Sequence, residues 1–253
     1  MKFRTEGLII KEQNIGEQDK LVFALTKSNG VIRAFVKGAK NIKNGKCAAA
    51  SLLSYSRLTI YKGRESYIIG EAQPIRIFSK LRSDVTKMCL AQYFCELALT
   101  ICPREQKSDS FLSLVLNSLY LLSENKRSAD LIKPCLEMRL ASMAGYMPDL
   151  RMCRECGEYI TPIMYFLPRI GALECADCRT DVSEPAIALN EGTLTALRHT
   201  VYADDDSFAE ISEKISLYTD RTDLTVIDIE QFLLHLSVLS EMQNIEQTFE
   251  RTL

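Results

Sequence analysis

The sequence predicts an α+β protein in which a small β-barrel precedes a helical domain that carries a four-cysteine metal site. The first 80 of the 253 residues alternate apolar and polar positions between turn signals, whereas apolar residues recur at helical spacing from about residue 81. A C-x2-C…C-x2-C array lies inside the helical part. We therefore expect two domains, residues 1–80 and residues 81–253, with the metal site inserted at residues 150–180.

Five strand-like runs justify the barrel. They are Arg4–Ile10, Leu21–Leu25, Val31–Lys37, Tyr55–Tyr61 and Tyr67–Glu71. The turn Ser28-Asn29-Gly30 joins the second run to the third as a hairpin. Because short strands in an open sheet would leave unpaired edges, a small closed barrel is the predicted arrangement.

Helical periodicity accounts for most of the remaining chain. Helices are predicted around residues 88–102, 112–122 and 128–145. Pro134 is expected in the first turn of the third helix or at a kink. Beyond Pro185 the chain is again predicted to be helical, with Asn190 as an N-cap and a last helix after Thr225. Four cysteines of the helical region are expected to be small buried hydrophobes: Cys89, Cys95, Cys102 and Cys135.

The array itself consists of Cys153, Cys156, Cys175 and Cys178. Each pair presents two thiolates from one tight turn, and the segment between the pairs is long enough for a short hairpin. Four thiolates complete the tetrahedral shell of Zn²⁺, as in structural sites, whereas a catalytic zinc keeps one position open. The spacing predicts one structural zinc ion; a redox dithiol, an iron–sulfur cluster and a coincidence are the alternatives.

Charge is distributed unevenly along the chain. Residues 1–80 hold 15 lysines and arginines against 6 acidic residues, a net +9, although the whole chain is −2. Residues 184–253 hold 4 against 14, a net −10. A strongly basic first third indicates a polyanionic partner, in particular nucleic acid, and a solvated basic surface without a partner is the alternative.

The third predicted strand separates an apolar face from a basic, aromatic one. Its inward positions fit a barrel interior: Ile32, Ala34 and Val36. Its outward positions are Arg33, Phe35 and Lys37. Cations that neutralise phosphates beside a ring that stacks on bases are typical of single-stranded nucleic-acid binding. A ring in a second small core against the helices is the alternative.

Two further segments extend the predicted nucleic-acid interface. Tyr55 and Arg57 repeat the aromatic and basic pattern on the fourth strand, although the tyrosine ring could also belong to a second small core. The glycine-containing loop after the third strand adds Lys40, Lys43 and Lys46. A cationic loop beside a stacking surface is expected to hold a phosphate backbone.

Little in the sequence indicates catalysis, and we expect a protein that is not an enzyme. There is no Gly-rich phosphate loop, no G-x-S-x-G and no H-E-x-x-H, and the two histidines, His199 and His235, lie in predicted helices without a cue for a ligand or a base. The N-terminus lacks the features of a signal peptide, and no run approaches the roughly 18 apolar residues of a membrane span. A cytoplasmic protein with reduced thiols and no membrane contact is expected.

In several of its motifs the chain resembles the RecO family of bacterial recombination mediators. The residues that carry the resemblance are Gly7-Leu8-Ile9-Ile10-Lys11, Gly16-Glu17-Gln18-Asp19-Lys20-Leu21, Lys37-Gly38-Ala39-Lys40, Leu81-Arg82-Ser83-Asp84, the Leu140…Gly145-Tyr146-Met147-Pro148-Asp149-Leu150 stretch and the four-cysteine array. They occur in family order over most of the chain.

The resemblance implies an N-terminal OB-fold, a helical second domain and a zinc-binding insertion held by the four cysteines. It also implies binding of single- and double-stranded DNA, annealing of complementary strands and loading of the RecA recombinase with a RecR partner, in a nucleoid-associated setting. By family pattern, Arg33, Lys37 and Lys40 would lie on or near the DNA-binding face. The helical domain would dock the acidic tail of single-strand-binding protein; since residues 184–253 are acidic, the neutral middle segment is the expected place.

Two other classes of function compete with a DNA repair mediator. In the first, the chain is a zinc-stapled interaction scaffold whose basic barrel binds an acidic protein. In the second, it is a zinc enzyme in which water replaces one cysteine at the metal. Excess oligonucleotide should displace a DNA ligand and leave an acidic protein partner in place, which separates the mediator from the scaffold.

Overall fold

The computed structural model describes residues 1–41, 45–63 and 66–202. The chain divides into two compact units, Met1–Ile132 and the residues from Lys133 onward. The first unit begins with strands and continues with helices, and the second combines helices with a small sheet. The predicted mixed α+β class, with strands at the N-terminus followed by helices, is confirmed.

Five strands form the sheet of the first unit. They are β1 (Lys2–Ile15), β2 (Asp19–Thr26), β3 (Gly30–Val36), β4 (Ser54–Lys62) and β5 (Tyr67–Ile77). They pair in the order β1-β2-β3-β5-β4, and β1 also pairs with β4, so the ladder closes on itself as a barrel. Neighbours are antiparallel except β3 and β5, which meet in parallel at Ala34 and Phe35. All five predicted strands occur, the first and last considerably longer than predicted.

Alternate residues of these strands fill the barrel interior. On β3, Ile32, Ala34 and Val36 are at most 1% exposed, whereas Arg33 between them is exposed. The four remaining strands all contribute side chains to the same core, among them Ile9, Val22, Leu58, Ile60 and Ile69. Because a pleated strand points successive side chains to opposite faces, the buried set leaves Arg33 and Phe35 on the outer face, as predicted.

Short and long helices complete the first unit: α1 (Lys46–Ala49), a 3-10 turn (Ser79–Ser83), α2 (Val85–Ile101) and α3 (Asp109–Ser123). The Asp84 carboxylate accepts a hydrogen bond from the Lys87 N–H and so caps α2. Both long helices pack against β1 and β2, and α3 buries its predicted stripe of Leu112, Val115, Leu119 and Leu122. The helical period of the sequence therefore marks the face that covers the barrel.

Residues 102–108, hereafter the connector, join α2 to α3 across the turn between β2 and β3. The Pro103 carbonyl accepts a hydrogen bond of 2.9 Å from the Val31 N–H, and the Ser108 N–H donates one of 3.0 Å to the Lys27 carbonyl. Arg104 forms an antiparallel bridge with Gly30. The connector is thus attached to the hairpin at both ends.

The second unit contains a four-stranded sheet between two helices in the chain. Its elements are α4 (Ala129–Met143, which begins in the first unit), β6 (Asp149–Cys153), β7 (Ile163–Leu167), β8 (Ala172–Cys175), β9 (Ile187–Asn190) and α5 (Glu191–Tyr202). The strand order is β6-β8-β7-β9, in which β6 and β8 run parallel. The β7–β8 hairpin lies between the two cysteine pairs, where a hairpin was predicted.

Helix α5 packs in one hydrophobic core with this sheet and with α4. Its Leu194, Leu197 and Val201 share one core with Met164 and Phe166 of β7 and with residues of β6, β8 and α4. The Asn190 side chain accepts a hydrogen bond of 2.8 Å from the Thr193 N–H, which confirms the predicted N-cap. At the other end the buried Arg139 of α4 donates to the carbonyls of Thr200 and Val201. Each end of α5 therefore has a side-chain partner for part of its terminal backbone groups.

Several local predictions need correction. Pro134 lies in the interior of α4, past its first turn, so the first of its two predicted places is wrong and a kink at Pro134 stays a prediction. The chain is not yet helical directly after Pro185, because Ile187–Asn190 pairs with β7 as a strand. Cys95, Cys102 and Cys135 are buried, and burial raises the pKa of each thiol to about 12, but Cys89 is exposed.

The predicted C-terminal helix and the predicted absence of a membrane span have different outcomes. The last helix after Thr225 and His235 lie outside the described residues. Among the helices that the structure describes, none combines the length and the apolar character of a membrane span.

Candidate nucleic-acid interface and metal centre

The outer face of β3 presents the predicted basic and aromatic residues. Arg33 and Lys37 are exposed and Phe35 is half-buried. The aromatic ring lies on the strand where β3 meets β5, since Phe35 pairs with Ile68. Neither cation donates a hydrogen bond or forms an ion pair within residues 1–41, 45–63 and 66–202. Both cations are therefore available to an external anion.

Arg33 and Phe35 line a cleft of about 630 Å³, hereafter the β3 cleft. The other residues that line it are Val31, Ile32, Ser66, Tyr67, Arg104 and Glu105. Within the part of the chain that the structure describes, Glu105 is the one acid of this lining, and it accepts hydrogen bonds from the Tyr67 hydroxyl at 3.1 Å and from Lys62 at 3.3 Å. The Tyr67 hydrogen bond and the Lys62 charge lower the pKa of its carboxyl group. Much of the negative charge in this cleft is therefore already paired.

A second cleft of about 700 Å³ lies on the other side of the β2–β3 turn, hereafter the β1–β4 cleft. Its lining residues are Arg4, Thr5, Glu6, Lys27, Ser28, Arg57 and Lys107. Lys27 pairs with Asp109 at 3.2 Å and Arg57 pairs with Glu6 at 3.5 Å, both as exposed ion pairs. Exposed pairs of this kind are weak, so a phosphate can compete for these cations.

Tyr55 and Arg57 of β4 meet through Glu6. The Tyr55 hydroxyl donates a hydrogen bond of 2.7 Å to one Glu6 oxygen, and Arg57 approaches the other. Partial burial, followed by this hydrogen bond, raises the pKa of Tyr55 to about 12. The tyrosine ring is half-buried and its hydroxyl is engaged, whereas Arg57 is 58% exposed at its side chain. Of these two predicted residues, the arginine is the more accessible.

The loop after β3 is fixed to the turn between β1 and β2. The Lys40 ammonium donates a hydrogen bond of 2.8 Å to the Gly16 carbonyl, and the Gly38 N–H donates one of 2.8 Å to the Asp19 carboxylate. Lys40 therefore stabilises the loop conformation. The segments Gly16–Leu21 and Lys37–Lys40, which both carry part of the family resemblance, contact each other here. This contact gives a structural reason for the residue types found in both segments.

The remaining loop lysines have different settings. Lys43 lies outside the described residues. Lys46 is the first residue of α1 and is half-buried. Of the predicted residues, Arg33 and Phe35 lie in the β3 cleft, Arg57 lies in the β1–β4 cleft, and Lys37 and Lys40 lie at the end of β3. Tyr55 on β4 and Lys46 in α1 line neither cleft.

Each cysteine pair lies in a tight turn at the end of a strand. Cys153 ends β6 and Cys175 ends β8, and these two strands are parallel neighbours. The Gly157 N–H donates to the Cys153 carbonyl, and the Arg179 N–H donates to the Cys175 carbonyl. Parallel strands bring their corresponding ends to the same edge, so the sheet places both turns side by side.

The four sulfur atoms lie within 4.8 Å of one another. The Sγ atoms of Cys156 and Cys175 are 3.7 Å apart, close to the roughly 3.8 Å that two sulfur atoms adopt around one zinc ion with Zn–S bonds of about 2.3 Å. Cys153 and Cys175 are buried, and Cys156 is exposed. This arrangement fits a four-coordinate ion, and all four positions would be filled by protein.

The environment of Cys153 favours its thiolate. Burial opposes ionisation, but hydrogen bonds from the backbone N–H groups of Cys156, Cys175 and Glu155 outweigh it and lower the pKa of the thiol to about 6. Backbone donors that converge on a sulfur atom stabilise negative charge there. A thiolate is the form that binds metal.

Arg198 of α5 is a supporting residue that the sequence reasoning missed. Its guanidinium group donates hydrogen bonds of 2.6 to 2.8 Å to the carbonyls of Leu150, Arg151 and Tyr159, and it lies 4.0 Å from the centre of the Tyr159 ring. Both sides of the first cysteine turn are thereby held to α5. The available signal was an arginine on the apolar stripe of that helix.

Comparison with known proteins agrees with this architecture. The family model described as recombination protein O N terminal matches residues 1–78, and the one described as recombination protein O C terminal matches residues 82–215. The chain belongs to the RecO family. Its members with curated names are called DNA repair proteins, so the predicted resemblance and the assignment to DNA repair and recombination are confirmed.

Individual relatives match over most of their length. The DNA repair protein RecO of Acetivibrio thermocellus is 31% identical over 84% of this chain and 85% of its own. The DNA repair protein RecO of Symbiobacterium thermophilum is 30% identical over 85% of this chain and 90% of its own. That of Alkaliphilus metalliredigens is 27% identical over 83% and 85%.

Proposed function

We propose that this RecO-family chain is a non-enzymatic DNA repair mediator. In this role the N-terminal barrel, an OB-fold, binds single- and double-stranded DNA and anneals complementary strands. The second unit, stapled by zinc, recruits a RecR-type partner, and the complex helps to load the RecA recombinase. Family membership supports the pathway, and the chemistry of the barrel surface supports DNA as the ligand.

The observation that carries the DNA-binding proposal is the outer face of β3. Arg33 and Lys37 are exposed cations without a partner in the described residues, and the half-buried Phe35 ring lies between them. A ring flanked by cations suits a flexible strand, whose bases stack while its phosphates are neutralised. The nearby β1–β4 cleft adds Arg57, so the basic surface extends beyond a single strand of the barrel.

Zinc is the proposed resident ion of the cysteine site. Cys153, Cys156, Cys175 and Cys178 would hold it as four thiolates, and its role would be structural because no position remains for water. The convergence of the sulfur atoms supports this. Bound zinc would keep β6, the β7–β8 hairpin and the two turns together as one module.

The proposal is tested by fluorescence anisotropy with a labelled single-stranded oligonucleotide. Wild type is compared with the variant Arg33→Gln/Lys37→Gln. Lys40 is left intact because its hydrogen bond to Gly16 fixes the loop. Removing two charge-assisted contacts, worth together about 1.4 kcal/mol or more, should weaken binding about tenfold. Binding that is equally tight in both proteins would contradict a DNA site on β3.

The scaffold alternative gives a different result in the same experiment. A folded, zinc-loaded wild type that shows no binding at low salt would remove DNA as the ligand and favour an acidic protein partner for the barrel. A captured protein that survives excess oligonucleotide would support the same conclusion. The proposed contact with the acidic tail of single-strand-binding protein is tested separately, by titrating a labelled tail peptide.

A further inference from the structure

The connector between α2 and α3 divides into anchored ends and an exposed middle. Cys102 and Ser108 are at most 4% exposed. Between them the side chains of Arg104, Glu105 and Lys107 are exposed. Since Ser108 also donates its N–H to the Lys27 carbonyl, the middle is presented from two fixed points. The anchored ends hold the backbone of the segment in place, so that little further backbone entropy is lost when its side chains contact a ligand.

The approach of the connector to the barrel is unusually close. Gly30 has a φ of +60°, and a Cβ atom there would lie 2.0 Å from the Pro103 carbonyl oxygen and 3.1 Å from the Ser108 hydroxyl. Only glycine allows this contact. The β2–β3 turn and the connector therefore form one surface, although they are distant in sequence.

The two exposed cations of the connector enter different clefts. Arg104 lines the β3 cleft, together with Arg33 and Phe35. Lys107 lines the β1–β4 cleft, together with Arg4 and Arg57. Within the residues that the structure describes, neither Arg104 nor Lys107 donates a hydrogen bond or forms an ion pair. The connector thus supplies an unpaired cation to each side of the hairpin.

Acidic residues near this surface are largely compensated. Glu105 accepts hydrogen bonds from Lys62 and Tyr67, and Glu6 accepts them from Arg57 and Tyr55. Asp109 pairs with Lys27. The uncompensated charge of the two clefts is positive, which suits a polyanion long enough to pass from one cleft to the other.

We propose that the connector is part of the nucleic-acid interface, with Arg104 and Lys107 contacting successive phosphates of a single strand that crosses the end of the β2–β3 hairpin. This inference rests on the proposed DNA binding and extends it from the barrel to a segment of the helical region. The strand would pass from Arg33 and Phe35 in the β3 cleft, across the connector, to Arg4 and Arg57 in the β1–β4 cleft.

The test compares wild type, Arg104→Gln/Lys107→Gln and the control Arg82→Gln/Lys126→Gln by anisotropy with a labelled oligothymidylate at several salt concentrations. The control removes the same charges from exposed residues that line neither cleft. The connector variant should bind about tenfold more weakly, and the magnitude of its log–log salt slope should fall by about 1.4, that is, about 0.7 for each lost phosphate contact. The control should bind as wild type does.

A third variant, Glu105→Gln, gives an effect that misfolding cannot mimic. Removing this carboxylate releases Lys62 and deletes the one acid that lines the β3 cleft among the described residues, so the strand should bind about threefold more tightly. If wild type binds, Arg33→Gln/Lys37→Gln is weakened and the connector variant keeps wild-type affinity and slope, the connector lies outside the interface and DNA binding by the barrel stands. If wild type does not bind at all, both proposals fall.

Discussion

At the scale of single residues, Gly30 shows how one position couples the barrel to the helical region. Its φ of +60° lies where a side chain is strained, and its α-hydrogen faces the Pro103 carbonyl where a methyl group would overlap it. The contact allows the Val31 N–H to donate to that carbonyl. Gly16 has nearly the same conformation, with a φ of +56°, but nothing lies within 4 Å of a Cβ atom built there.

We expect Gly30→Ala to destabilise the first unit by at least about 2 kcal/mol, because backbone strain and displacement of the connector add together. The matched control is Gly16→Ala, which introduces the left-handed strain alone and should cost about 1 kcal/mol. Urea unfolding monitored by circular dichroism measures both free energies of unfolding. Equal destabilisation by the two variants would show that displacing the connector does not lower the free energy of unfolding.

At the scale of elements, the cysteine module and α5 stabilise each other. The core side chains of β6, β7 and β8 pack on α5, and Arg198 bridges three backbone carbonyls that flank the first cysteine turn. A guanidinium group with so many partners fixes the turn from outside, whereas a metal ion would fix it from inside. Loss of either support should loosen the sheet edge that holds the sulfur atoms.

We therefore expect wild type to carry one zinc ion per chain, and Cys156→Ser to lose it and to melt about 5 °C or more below wild type. Cys156 is chosen because it is exposed, so the serine hydroxyl is not buried by the change. Cys89→Ser is the matched control, since Cys89 is also exposed but lies outside the array. Metal analysis and differential scanning calorimetry provide the measurements. A Cys156→Ser protein with full zinc content and unchanged melting would rule out four-sulfur coordination.

At the scale of the whole molecule, uneven charge is the dominant property. A net charge of −2 conceals +9 in residues 1–80 and −10 in residues 184–253. A polyanion is attracted by the local field of the basic surface, which salt screens over about 10 Å at 0.1 M. Five exposed cations on this surface form no ion pair within the described ranges: Arg4, Arg33, Lys37, Arg104 and Lys107.

If each of these five cations neutralises one phosphate of a single strand, the logarithm of the binding constant should fall against the logarithm of salt concentration with a slope near −3.5. Anisotropy titrations between about 50 and about 300 mM sodium chloride measure it. Titration with an uncharged osmolyte at equal osmolality controls for changes in water activity. A slope near zero would mean that base or protein contacts, and not phosphates, dominate the affinity.

Local patterns explain what could be predicted from the sequence. The five strands and the helices over α2 and α3 were predicted because burial imposes periods of about two and 3.6 residues, which survive in one dimension. The cysteine array was found for a similar reason, since one tight turn sets the spacing within each pair. Strand β9 was missed because four residues next to a helix cap carry too short a pattern to be separated from the helix that follows.

The predicted site residues show the limit of such patterns. Alternation on β3 correctly placed Arg33 and Phe35 on the outer face, because side-chain direction follows from strand geometry. It could not show that Lys40 is held by the Gly16 carbonyl or that Tyr55 is held by Glu6, because both contacts join segments distant in sequence. Counting charges finds cations but not their partners.

The sequence by itself determined the five strands and the long helices of the first unit, the four cysteines of the candidate metal site, the basic character of the N-terminal third and the family. Each of these depends on residue type and short-range spacing. Only the tertiary structure decided that the connector crosses the β2–β3 turn, that Arg104 and Lys107 enter two clefts and that Arg198 supports the cysteine turns. These contacts depend on how packed elements bring distant segments together. A contact between one glycine and one carbonyl group produces no repeating pattern in the sequence, so it cannot be predicted from residue spacing.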